Sequence, residues 1–277
     1  MNLRRTGALL LRQFYLLRGS PARIVPLFSW VAIDIVLWGF ITRYLNSVSG
    51  ARFNFVPAML GAVLLWDFMS RVMQGITTAF LEDVWSRNFL NLFASPLSVS
   101  EYLSGLVSSS IATSLVGLGV MVLLATLVFG LSFFVYGAML AALLLVLFLF
   151  GISLGIFGSA LVLRLGPAAE WFIWPIPAFI SPLACVFYPL ATLPHWMQWL
   201  ARLIPASYVF EGMRQVLATQ TLVHHAGHAS AVSAAPLAIG SALALVYLVG
   251  MARAFTAVYR HAVRTGLIAR YSAETVS

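Results

Sequence analysis

Between Ser181 and Leu217 an apolar, aromatic run is cut repeatedly by proline: SPLACVFYPLATLPHWMQWLARLIPASYVFEGMRQVL. Pro182, Pro189, Pro194 and Pro205 lie within it, and Pro177 leads into it. Each proline removes a backbone donor and blocks helix continuation, so a stretch that would otherwise read as one membrane helix must break into short pieces. In hydrocarbon such breaks survive only where protein or water satisfies the freed backbone groups. Between Pro194 and Pro205, Trp196, Trp199, Leu200 and Leu203 recur at helical spacing, with His195, Gln198 and Arg202 at other positions. That piece suits an interface better than a full span. The spacing predicts a span end, a short interfacial helix, and a second short helix closing at Glu211–Arg214.

The surroundings are hydrocarbon. Of 277 residues 61% are hydrophobic and 9% charged, against about 25% charged in a soluble domain, and the mean hydropathy is +0.96. This is an integral membrane protein by composition. The net charge is +8, and every one of the 16 basic residues is arginine. A nucleic-acid binder can be this basic but not also this apolar, so no nucleic-acid partner is expected. The charge reads better as a topology signal. Cys185, the single cysteine, excludes an intrachain disulfide and reads as a small hydrophobe.

In chain order, residues 1–22 scatter Arg4, Arg5, Arg12 and Arg18 among leucines. Leu3, Leu10 and Leu17 share a helical stripe with Arg5 and Arg12 nearly opposite, which predicts a basic amphipathic helix on the cytoplasmic surface. Six spans are expected, at about 26–44, 57–80, 102–129, 135–163, 170–188 and 235–255. Polar interruptions fall at Glu82–Ser98 and Thr219–Ser233. With the N-terminus inside, twelve arginines lie inside and four outside, which places both termini in the cytoplasm.

The proline-broken stretch carries a resemblance. Phe187-Tyr188-Pro189-Leu190, Leu193-Pro194-x-Trp196, Ile204-Pro205-Ala206-Ser207-Tyr208 and Glu211-Gly212-Met213-Arg214 resemble the signature that follows the fifth span of type-2 ABC exporter permeases (ABC-2), with Ile204 where asparagine is commonest. The Glu82–Ser98 segment resembles the same family's cytoplasmic coupling helix, with Glu82, Asp83, Trp85, Arg87, Phe89, Leu92, Ser95, Pro96 and Leu97 in its pattern. On a helix Trp85, Phe89 and Leu92 form one face that needs a partner groove or lipid to cover it.

The resemblance implies a single ABC-2-type transmembrane domain over 1–277. It would be an all-α integral membrane protein of six transmembrane helices. An N-terminal interfacial helix (1–22), a coupling helix between spans 2 and 3 (82–98) and short broken or re-entrant helices between spans 5 and 6 (189–217) complete it. It further implies a homodimer in the cytoplasmic membrane bound to two copies of an ABC ATPase, with Phe187, Trp196, Trp199 and Tyr208 closing the exit side. The expected cargo is a small hydrophobic or lipid-like compound. Export of a polysaccharide or lipid-linked glycan is an alternative, as is an ion-coupled transporter using Asp34 and Asp67. A phosphate-binding P-loop requires lysine, which the chain lacks. The chain therefore needs no cofactor of its own, and a partner ATPase would bind ATP and magnesium.

Charges at membrane depth are costly. Asp67 and Arg71 stand four residues apart and can pair on one helix face; Glu170 lies near a span end; Asp34 has no sequence-local partner. The structural reading of these charges is preferred over a proton relay or contact with polar groups of a substrate. Gly151-Ile152-Ser153-Leu154-Gly155 matches a G-x-S-x-G nucleophile elbow, but it lies deep in an apolar run without the strand-turn-helix setting that motif needs. Gly151, Gly155 and Ser159 read instead as a small-residue packing stripe, and no catalytic residue is expected. His224, His225 and His228 have partial metal-ligand spacing without a further anchored ligand, so no metal site is assigned.

Overall fold

Capping fixes the helix ends more sharply than hydropathy does. The computed structural model describes residues 3–19, 21–48, 56–86, 92, 97–137, 139–226 and 235–266, and the secondary structure among them is helical. Helix α1 is Leu3–Arg18 and α2 is Pro21–Val48. After a π turn at Val56–Leu60, α3 runs Gly61–Trp85. Helix α4, Val99–Phe129, opens on a capping box: the Ser98 hydroxyl accepts the Glu101 N–H at 3.3 Å, and the Glu101 carboxylate accepts the Ser98 N–H at 3.1 Å. Two orphan donors are satisfied reciprocally. It closes at Gly130, whose φ of +68° is open to glycine without strain, with Leu131 N–H donating back to Ala125 at 3.2 Å.

Helix α5 is Met139–Leu165, reached through a 3-10 turn at Phe133–Tyr136. Short helices α6 (Glu170–Ile173) and α7 (Ile176–Ile180) follow. Then come α8 (His195–Arg202), α9 (Pro205–Ala226) and α10 (Ala235–Arg264). Among the described residues three helices, α4, α5 and α10, are long and apolar enough to cross a membrane. A 27-residue helix such as α5 is about 40 Å long at 1.5 Å per residue, beyond the roughly 30 Å of hydrocarbon.

Helix α5 is the hub, packed on α3 along one side and α10 along another. Small residues set the α3–α5 distance. A Cβ on Gly151 would come within 2.7 Å of the Met69 carbonyl, and one on Gly155 within 2.8 Å of Ile76 Cβ. Close backbone approach of this kind is how helices associate where lipid is as apolar as leucine. The third member of the seam is Gly158, against Thr77. Ser159 is buried but turns its hydroxyl back to the Gly155 carbonyl at 2.9 Å. At one end of the bundle Phe80, Tyr102 and Phe255 join α3, α4 and α10, with Phe80 and Phe255 edge to face at 5.8 Å.

The structure departs from the sequence expectation in three places. The expected fifth span is a proline-interrupted path, not one helix. Helical bonds continue from Trp174 N–H to Glu170 O, Phe179 N–H to Pro175 O, and Ala184 N–H to Ile180 O; the break between α6 and α7 falls at the donor-less Pro175 and Pro177. Cys185, at φ +56°, then turns the chain. Second, α3 continues through Trp85, so Glu82, Asp83 and Trp85 form its last turn and do not open a separate helix. Third, the second helix of the broken stretch does not close at Glu211–Arg214: α9 carries on to Ala226. In α1, Leu10, Leu11, Phe14 and Tyr15 are exposed, while Leu9 is buried and Arg12 points into the protein.

Candidate functional site

Three polar assemblies stand out against the apolar bundle. The first lies where α1 crosses the C-terminal end of α3 and the N-terminal end of α4. Asp83 is 0% exposed and is held from two sides: the Arg12 guanidinium donates to Oδ1, and the Tyr102 hydroxyl donates to Oδ2 at 2.8 Å. A carboxylate taken out of water is tolerable only with such partners. Burial works against the Arg12 charge, but the hydrogen bond and charge of Asp83 outweigh it and hold the guanidinium above its ordinary pKa. Two turns earlier on α1, Arg5 reaches Glu101 at 3.4 Å, adding α1 to the capping box of α4.

Beside this network the Trp85 side chain is 52% exposed. The residues expected on one coupling surface therefore divide. Trp85 faces outward, Glu82 is part-buried, Asp83 is wholly internal, and Leu92 packs part-buried against the main core. Arg87, Phe89, Ser95 and Pro96 lie outside the described residues.

The second assembly holds the proline-broken stretch together. Glu211 on α9 accepts the Leu190 backbone N–H at 2.6 Å, and Arg214 donates to the Cys185 carbonyl at 2.9 Å while pairing with Glu211 at 3.2 Å. Tyr188 adds its hydroxyl to the Pro182 carbonyl at 2.7 Å, and Leu193 packs with Cys185 and Ala201. One acid and one base on α9 thus satisfy backbone groups that the breaks set free, which is the condition for irregular backbone near hydrocarbon. Pro194 precedes the first turn of α8 and Pro205 begins α9.

The four aromatic residues expected to close this end do not meet. Phe187 stacks on Trp38 of α2 at 4.7 Å. Tyr208 donates to the Arg202 carbonyl at 3.0 Å and rests against Gly240. Trp196 and Trp199 stay exposed on α8, with Arg202 over the Trp199 ring at 5.1 Å. A cleft of about 460 Å³, lined by Pro189, Leu190 and Tyr208 as well as Gln198, Arg202 and Glu211, opens beside them. An exposed aromatic surface along α6, α7 and the turn between them (Trp171, Phe172, Trp174 and Phe179) escaped the sequence reading, which had merged those residues into one span. Glu170 accepts the Trp174 indole N–H at 3.0 Å.

The third assembly is the set of charges within the helices. Arg71 reaches Asp67 at 3.4 Å on the same face of α3. Asp34, midway along α2, is within electrostatic reach of both. His224 and His225 fall in the last turn of α9, and His228 lies outside the described residues.

Long apolar helices with exposed apolar outer faces and small-residue seams between them define a multi-pass membrane protein. A family model for the ABC-2 type transporter matches residues 4–218, and the chain belongs to that family. It is a transport permease, and the family's membrane domain is not itself catalytic. No curated protein matches the sequence.

Proposed function

We propose that this chain is the membrane-spanning subunit of an ATP-driven exporter that moves a small hydrophobic or lipid-like compound out of the cytoplasm or inner leaflet. Two copies of the permease would form the path, and two copies of a separate ATPase subunit would supply the work. Both termini would lie in the cytoplasm. The observation that carries the reading is the family match together with the α1–α3–α4 junction, where an exposed Trp85 stands on a buried ion network. An exposed aromatic on a rigid base is what a partner groove grips. The absence of lysine from these 277 residues supports placing ATP hydrolysis outside them.

In mechanism, closure of the ATPase pair would press on the end of α3. Asp83 would pass that displacement to α1 through Arg12 and to α4 through Tyr102, so three helices would move as one body between two packed arrangements. The exposed aromatics of α6 and α7 support an apolar cargo, since rings at this density offer area without hydrogen-bond demands.

The test is affinity purification of the tagged permease from native membranes, with ATPase activity measured on the eluate. A co-purifying ATPase lost when Trp85 is changed to arginine is the expected result. A permease that carries no ATPase, yet transports with collapse of the proton gradient as its only inhibitor, would refute the reading.

A further inference from the structure

Helix α8 sorts its side chains onto three faces. Ala201 turns inward against Cys185 and Leu193, with Met197 packed beside them. Trp196 and Trp199, with Leu203 just past the helix end, are each more than half exposed. Gln198 and Arg202, four residues apart, line the cleft that α8 shares with Leu190, Tyr208 and Glu211. At about 460 Å³ the cleft is within the roughly 300–1,000 Å³ of small-molecule sites.

The hydrogen bonds around this cleft leave a particular set of polar atoms unused. Glu211 spends Oε1 on both the Leu190 N–H and Arg214, and its Oε2 makes no hydrogen bond among the described residues. Gln198 donates through Nε2 to the Leu193 carbonyl at 2.8 Å, which leaves its own oxygen open to a donor. The Tyr208 and Ser207 hydroxyls are committed to backbone carbonyls at the end of α8. The Arg202 guanidinium lies over the Trp199 ring at 5.1 Å and has no carboxylate or carbonyl partner among the described residues. One cationic fork and two acceptors, one of them charged, thus line the same cleft. A simple anion would suit Arg202 but meet the Glu211 carboxylate, and a simple cation would face the reverse conflict. The complement carries a phosphate at one end and N–H donors at the other. A guanidinium matches phosphate in its fork geometry, and an ammonium brings three donors to the acceptors.

The exposed face of α8 indicates where such a group comes from. Arg202 joins the cleft to Trp199, so the polar lining runs directly onto an apolar, aromatic surface. Indole rings on a short amphipathic helix sit at the headgroup level of a bilayer. A soluble phosphate ester gains nothing from that face, whereas the glycerol and acyl chains of a lipid cover it.

We propose that the cleft between α8 and α9 seats the headgroup of a phosphatidylethanolamine-type lipid. Its phosphate rests on Arg202, its ammonium on Glu211 Oε2 and the Gln198 oxygen, and its acyl end over Trp196, Trp199 and Leu203. The site goes beyond the export reading and stands apart from it, because its test reads binding without transport. The full-length permease in detergent is titrated under native mass spectrometry with four short-chain or soluble probes. These are phosphatidylethanolamine, its N-trimethylated counterpart phosphatidylcholine, phosphatidylglycerol and glycerophosphoethanolamine. Phosphatidylethanolamine is expected to bind about tenfold tighter than the choline lipid, the size of one charge-assisted hydrogen bond. It should also bind tighter than phosphatidylglycerol, with the soluble headgroup weakest. Arg202→Gln should weaken the ethanolamine and choline lipids alike, by about tenfold. Glu211→Gln keeps an oxygen for Leu190 and should erase only the preference for ethanolamine over choline.

Equal binding of the three lipids by the wild type, or ethanolamine-lipid binding unchanged in Arg202→Gln, overturns the assignment. So does a preference for phosphatidylglycerol, which would make the cleft a plain anion site. A soluble headgroup that binds as tightly as the lipid overturns it too. The Arg202 side chain is exposed and makes no hydrogen bond among the described residues, so its variant decides the matter even if Glu211→Gln fails to fold.

Discussion

The Glu211 carboxylate takes the Leu190 backbone N–H at 2.6 Å across 21 residues of chain, and the same oxygen meets the Arg214 guanidinium. Glu211→Ala leaves both donors without that acceptor. The expected cost is about 1–3 kcal/mol, the usual penalty for stranding a part-buried donor. Glu211→Gln should cost less, because its amide oxygen still accepts from Leu190. Thermal unfolding of the purified permease in detergent reads both, and Glu211→Gln melting below Glu211→Ala would contradict the assignment.

Arg12 and Asp83 form the tie that seats α1. Either Arg12→Met or Asp83→Asn alone should destabilise by roughly 2–4 kcal/mol, somewhat below the range for fully buried pairs because Arg12 is 27% exposed. The double variant should be less damaged than the sum of the two. Additive losses in this double-mutant cycle would mean that the pair contributes little.

Trp85 and Asp83 lie two residues apart and should fail differently. Trp85→Ala removes an exposed side chain, so its melting temperature should stay close to the wild type's, within the ~0.5 kcal/mol usual for surface changes. Transport-linked ATPase activity should nevertheless fall. Asp83→Asn should lower the melting temperature first. Matching activity and stability profiles for the two variants would undo the division between an outward contact and an internal strut.

Gly155→Ala pushes a methyl group toward the Met73 carbonyl and Ile76, both within 3 Å of the added carbon. Overpacking of this kind costs about 1–3 kcal/mol. Gly119→Ala meets nothing within 4 Å and should gain up to ~1 kcal/mol from helix propensity. Yields of folded protein should rank the second variant above the wild type and the first below it.

Hydropathy alone revealed the long helices, because an apolar run bounded by arginine or glycine leaves little choice in a bilayer. The Gly151/Gly155 seam was legible for the same reason, since i,i+4 small residues have one plausible use there. What escaped depends on contacts between distant segments. The helical wheel of α1 showed two faces but not which would meet protein. With lipid outside, the familiar rule reverses: Phe14 and Tyr15 go outward while Arg12 finds Asp83. Asp83 read only as part of the coupling-helix pattern because Tyr102, its second partner, lies 19 residues further along the chain on another helix. Likewise no local pattern tells that Arg214 reaches back to the Cys185 carbonyl.

The Arg12–Asp83 tie also dictates an order of assembly. Asp83 is synthesised 71 residues after Arg12, several seconds later at about 5–20 residues per second. During that interval the arginines of α1 have no carboxylate of this network to meet, and in the proposed orientation, with the N-terminus in the cytoplasm, they would be available to anionic headgroups on the side where the ribosome works. The charges that decide which way the first span inserts are thus still uncommitted when that decision is made. Only afterwards are two of them drawn inward and locked, by Asp83 and then by Glu101, so that an orientation chosen by weak surface attraction becomes hard to reverse once α4 is in place.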